Sequence, residues 1–216
     1  MDLARKAQIS RSEFYRLTKG CPCWCGFDLG KRIDLTGSAA VFLLPDGRVA
    51  CRVHGFMPEG GAARHEHTDR VPYLAWAKDG YVTLTPGDAT DNSFVDDWIS
   101  AGERNEGWKV EHVGYDGHNA TDLAIRMNEA HNRDDYCVEV FQSCVGQNLA
   151  TKSFREMLLS GNVVLEESPL LLWCLANAVE VSNQKQCNER QQWDRYHRTP
   201  HHPYQEDLVS YPCDPE

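Results

Sequence analysis

The sequence contains no long hydrophobic run. Its 216 residues are 41% hydrophobic, and none of its stretches approaches the roughly 18 unbroken apolar residues that a membrane-spanning helix needs. A soluble protein is expected. Positive charge is also short: 22 Lys and Arg stand against 32 Asp and Glu, a formal charge of -10. That balance excludes a passive nucleic-acid coat working by counterion release. It leaves room for an enzyme that brings cations to a phosphate on a cluster of carboxylates. The glycine-rich phosphate loop GxxxxGK[ST] is missing, which excludes ATP hydrolysis by that route. No repeat of solenoid period and no low-complexity tract occurs. The first residues, Met1 to Lys6, lack the apolar core of a secretory signal, so the cytoplasm is the expected compartment.

Nine cysteines are present, an odd number scattered at 21, 23, 25, 51, 137, 144, 174, 187 and 213, unlike the even framework of a disulfide-rich secreted domain. Cys21, Cys23 and Cys25 are spaced by one residue, closer than the two to four usual for zinc thiolates. They read as small buried side chains on an extended segment or, with His54, His65 and His67 as distant partners, as a zinc-stabilised interaction module.

The order of elements follows from hydrophobic period and turn residues. Ile9 to Leu17 fits a short helix opened by Ser and ended by Gly20. Trp24–Leu29, Thr36–Leu44 and Arg48–Met57 read as three strands in a meander, with Pro45-Asp46-Gly47 as a turn. Pro58 to Arg70 is rich in Gly, Ala and charge without period and reads as a loop, with His65-Glu66-His67 in it a possible metal chelate. Pro72–Ala77 is a helical turn, and Tyr81–Leu84 a strand. Asn92–Gly102, Asn119–His131, Thr151–Leu159 and Ser168–Val181 carry helical stripes, while Trp108–Tyr115, Cys137–Phe141 and Val163–Leu165 read as strands. Three strands followed by alternating helix and strand imply an α/β domain with a mixed sheet. From Gln184 to Glu216 aliphatic residues nearly vanish, so this stretch is expected to be a poorly ordered tail. The expected layout is a lead-in over 1–20, the domain over 21–183 and the tail over 184–216.

Two aspartates close apolar strands: Asp28 after Cys25-Gly26-Phe27, and Asp116 after His112-Val113-Gly114-Tyr115. Each reads either as a turn or helix cap or, if the strands are neighbours, as half of a carboxylate pair holding magnesium or manganese. Asp34 reads as a surface carboxylate and His201-His202 as a fortuitous cluster.

The ordered set Cys25-Gly26-Phe27-Asp28-Leu29-Gly30, Asp34-Leu35-Thr36, Leu84-Thr85-Pro86-Gly87 and Gly114-Tyr115-Asp116-Gly117-His118-Asn119-Ala120 resembles the nuclease domain of the large terminase subunit of tailed bacteriophages. Gln142, the segment 148–161, Pro169 to Trp173 and Asn177 extend the resemblance over roughly residues 20 to 183. It implies a ribonuclease H-like mixed sheet flanked by helices and an endonuclease that cuts concatemeric double-stranded DNA during packaging. Asp28 and Asp116 would be catalytic carboxylates ligating Mg2+ or Mn2+ in a two-metal site. The implied partners are the DNA, the terminase small subunit and the portal, and the implied location is the bacterial host cytoplasm. Lys31, Arg32 and Lys152 are candidate phosphate contacts. The family's third acidic ligand sits on an apolar C-terminal helix that this sequence lacks; Asp194 and Asp207 lie at suitable distances in a different context. A catalytically inactive fragment that retains DNA or portal binding is the alternative, and the family's ATPase domain has no counterpart in the chain.

Overall fold

The computed structural model describes residues 2–30, 35–141 and 143–178, all within one compact unit. In chain order the elements are α1 (Asp2–Lys6), β1 (Gln8–Ile9), α2 (Arg11–Thr18), β2 (Pro22–Asp28), β3 (Thr36–Leu43), β4 (Val49–Pro58), α3 (Glu59–Asp69), α4 (Tyr73–Lys78), β5 (Val82–Thr85), α5 (Ser93–Ala101), a π-helical turn (Gly102–Glu106), β6 (Lys109–Tyr115), α6 (Gly117–His131), β7 (Cys137–Glu139), α7 (Cys144–Leu159), β8 (Val163–Glu166) and α8 (Pro169–Asn177).

The strands form one mixed sheet in the order β1-β8-β4-β3-β2-β6-β7, with β5 also on β4. The Pro45-Asp46-Gly47 turn works as the sequence implies: Gly47 takes φ +84, and an Asp46 carboxylate oxygen accepts from the Arg48 amide at 3.0 Å. It returns β3 antiparallel onto β4, while β2 pairs β3 antiparallel and β6 parallel. The outer edge of β4 is shared, Val49–Cys51 pairing β8 and Gly55–Pro58 pairing β5. Three antiparallel strands, β2 to β4, extended by parallel β6 and β7 on one side and by parallel β5, β8 and β1 on the other, with helices on the faces, make the ribonuclease H-like mixed sheet that the resemblance implies.

Alternation decides what each face buries. On β2, Cys23, Cys25 and Phe27 turn into the main core, whereas Trp24 and Asp28 are exposed. That core takes Phe14 of α2, Val95 and Ile99 of α5, and Leu123, Ala124 and Met127 of α6. On the opposite face, Phe154, Met157 and Leu158 of α7 and Leu171 and Leu175 of α8 pack with Cys51 and Val53. Serine caps start three helices, with Ser10, Ser143 and Ser168 each accepting from an amide three residues on. Residues 2–20 are built into the fold, since β1 pairs β8 and Phe14 is buried. Among the described residues, no helix is long and apolar enough to cross a membrane.

One expected loop is a helix. The stretch 58–70 folds as α3, and Gly60 and Gly61, which argued for a loop, are there to make room. A Cβ on Gly60 would collide with the Asp88 carboxylate and lie 3.0 Å from the Gly87 carbonyl oxygen; one on Gly61 would lie 3.2 Å from the His65 ring. Because the buried residues of α3 are only Gly61 and Ala62, no hydrophobic stripe marks it. The His65-Glu66-His67 triplet is therefore helical, with Glu66 accepting from the Leu74 amide at 2.8 Å.

Candidate acidic site

The central strand β2 and its parallel neighbour β6 are in register, Gly26 against Gly114 and Phe27 against Tyr115. The rings of Phe27 and Tyr115 stack with centroids 6.2 Å apart and an interplanar angle of 16°. The next residue on each chain is an aspartate. Asp28 is the last residue of β2, and Asp116 links β6 to α6. The two backbones thus leave neighbouring strands side by side, about 4.8 Å apart by ordinary strand spacing.

Asp28 pairs with Gly37 of β3, and its strand is paired to β6 as far as the preceding residue, Phe27. The Asp28 side chain itself is exposed. A Cβ on Gly37 would meet nothing within 4 Å, so the sheet beside the carboxylate is bare. It opens onto a groove of about 340 Å³ bounded by Gly26, Asp28, Gly37, Leu170, Leu171 and Cys174. On the same face, Val138, in the row of Gly26 and Gly114, is 44% exposed, and Trp24, one row further along opposite His112, is 41% exposed.

The pair offers hard oxygen donors from rigid backbone positions, the chemistry that magnesium and manganese take. Among the described residues, no group of three or more His, Cys, Asp or Glu is placed to hold a metal ion. Lys31, Arg32, Asp34, Asp194, Asp207 and His201-His202 lie outside the described residues. Lys152 is exposed on α7.

The other metal candidates are not assembled. Cys21, Cys23 and Cys25 are all buried in the main core. A hydrogen bond with Cys23, followed by burial, pushes the Cys25 thiol far above its ordinary range, which opposes the thiolate a zinc site requires. His54 is committed to Thr83, 2.8 Å from Nε2 to Oγ1, and its ring stacks on Trp98. His65 and His67 ride on α3. One acidic residue escaped the sequence reading. Glu139 ends β7 in register with Tyr115, whereas the apolar Val140-Phe141 that follows it carries the expected strand on to Phe141, so no strand-ending acid marks it in the sequence.

The chain is 26% identical over 168 residues to the terminase large subunit of Enterobacteria phage HK97, covering 74% of this chain and 31% of the relative. The crystal structure of the HK97 bacteriophage large terminase superposes with a TM-score of 0.63 at 25% identity, over 79% of this chain and 36% of that one. The chain therefore spans about a third of the length of these relatives. The family model for the terminase large subunit, endonuclease domain, matches residues 13–193. That stretch carries the mixed sheet and both aspartates, and the chain belongs to the terminase large subunit endonuclease-domain family.

Proposed function

We propose that the chain is a divalent-metal-dependent endonuclease domain that cuts concatemeric double-stranded DNA during phage genome packaging, with Asp28 and Asp116 as its catalytic, metal-holding carboxylates. The observation that carries this reading is the side-by-side exit of the two aspartates from paired parallel strands. Asp28 is positioned by its pairing with Gly37 of β3, one residue past the last β2–β6 pair, Phe27 with Tyr115, and Asp116 sits between the end of β6 and the start of α6; strand and helix ends of this kind hold a side chain's backbone in place. Both would hold Mg2+ or Mn2+, and such ions, two in a full site, supply an activated water and stabilise the leaving oxygen of a phosphodiester. The chain's own contribution is to fix two oxygen donors at one end of a central strand, with open space over Gly37 beside Asp28 through which a phosphate backbone could approach. Double-stranded DNA is the substrate on this reading, with the small subunit and portal as packaging partners in the host cytoplasm.

Asp28→Asn and Asp116→Asn test it. Each is expected to abolish nicking of plasmid DNA in magnesium or manganese while leaving the circular dichroism and melting temperature unchanged. Full activity in Asp28→Asn would sink the assignment. A second reading, an inactive fragment that retains DNA or portal binding, rests on the sequence from Gln184 onward, which has no apolar stretch like the helix that the resemblance assigns to the third acidic ligand. A folded wild-type chain that binds DNA and cuts none with either metal would establish it.

A further inference from the structure

The exit of β7 closes around the short segment that carries Asp116. The Val140 amide donates to the Tyr115 carbonyl at 2.8 Å. A Cβ on Gly114 would lie 3.1 Å from Cγ2 of Val140, and one on Gly117 would collide with the carboxylate of Glu139. Gly117 sits at the start of a 15-residue helix without the positive φ that calls for glycine, and a side chain there would have to displace the end of the Glu139 side chain. Contacts before and after Asp116 thus come from two consecutive residues of one neighbouring strand.

We infer that Glu139 is a positioning residue for Asp116: its carboxylate, seated against Gly117, fixes the turn from β6 into α6 and with it the direction of the Asp116 side chain. The inference rests on the reading of Asp28 and Asp116 as a cation-holding pair and names the part that holds one of them still. Glu139 is itself exposed, and its removal leaves no cavity in the core. Its effect is therefore on the site and not on stability. Residues that orient a metal-holding side chain typically change metal affinity 10–100-fold when lost.

The experiment reads metal binding directly, by titrating the full chain with terbium and following luminescence sensitised through Tyr115. Glu139→Ala is expected to weaken binding about tenfold at an unchanged melting temperature. Gly117→Ala, which displaces the carboxylate without removing it, is expected to match that loss. The double substitution is expected to do no more than either single one, since both break the same contact. Glu139→Gln, of the same shape, restores binding. Wild-type affinity in Glu139→Ala, simple addition of the two single effects, or failure of Gln to rescue overturns the inference. Asp28→Asn keeps the two claims apart: if it leaves terbium binding intact, the cation-pair reading falls, whereas its loss of binding beside an unaffected Glu139→Ala removes only the role of Glu139.

Discussion

Arg52 and Glu166 form an ion pair inside the protein, Nε to Oε2 at 3.2 Å, with the two side chains 13% and 2% exposed. The pair joins β4 to β8, and each member has a second partner: Arg11 reaches Glu166 Oε1 at 3.2 Å and Arg52 reaches Glu106 at 2.6 Å. Burial pushes the Glu166 carboxyl up, opposed by the two guanidinium groups. Removing Arg52 strands a desolvated carboxylate with one exposed arginine left to balance it. Arg52→Met is expected to cost about 3 kcal/mol in urea unfolding. Adding Glu166→Gln, which removes the unpaired charge, is expected to recover part of that loss, and a double variant as unstable as the single one would refute the charge argument.

His54 sets a pH dependence. Burial, then the nearby charges of Arg52 and Arg11, push its imidazole down to about 4, below the value of about 6.5 it has in an unfolded chain. A depressed pKa means that the folded state prefers the neutral ring. The stabilisation is therefore fully present above about pH 6.5 and is lost as pH falls toward 4, by at most about 3 kcal/mol. His54→Gln removes the titration. Urea midpoints measured at about pH 7 and about pH 5 are expected to drop less in this variant than in wild type. An equal drop would place the acid sensitivity elsewhere.

Much of this architecture was legible in the sequence because its signals are local. The alternation of Cys23, Cys25 and Phe27 marks β2, and the helical stripe of Leu123, Ala124 and Met127 marks α6. The same signals failed where burial is small. In α3 the buried residues are Gly61 and Ala62, and the stretch 146–152 of α7 is wholly exposed, so that helix begins well before the expected Thr151. The candidate site divides in the same way. Asp28 and Asp116 were each visible as strand-ending acids, but their adjacency depends on β2 pairing β6 across some 80 residues of chain, which no local pattern encodes. Glu139 carried no such signal, because the apolar pair Val140-Phe141 extends the expected strand past it, and only its place against Gly117 singles it out.

Gly102 should tolerate no side chain. It opens the π-helical turn, and a Cβ there would run into the six-membered ring of Trp108. Trp108 is 5% exposed and wedged edge-on between Phe42 and Trp98, with centroids 5.4 and 5.1 Å away, so it has nowhere to move. Gly102→Ala is expected to destabilise by about 3 kcal/mol even though alanine is the better helix former. A thermal midpoint equal to wild type would show that the ring can yield.

The cysteines give the last test, because burial and reactivity make opposite demands on them. Cys21, Cys23 and Cys25 face the main core, with the Cys25 thiol raised by its hydrogen bond to Cys23 and by burial. Burial also pushes Cys51 up to about 12 and Cys137 to about 11. Alkylation and zinc binding both need an accessible thiolate. Cys174 is exposed, on the groove beside Asp28, and although partial burial raises its thiol as well, its surface is open to reagent. Iodoacetamide is expected to label Cys174 in the folded chain and to reach Cys21, Cys23 and Cys25 only after denaturation. Equimolar zinc is expected to leave the melting temperature unchanged, because binding would require the strand carrying those three thiols to turn its buried face outward. Stoichiometric zinc with a raised melting temperature, lost on replacing Cys23 and Cys25 by alanine, would mean that β2 is held by metal.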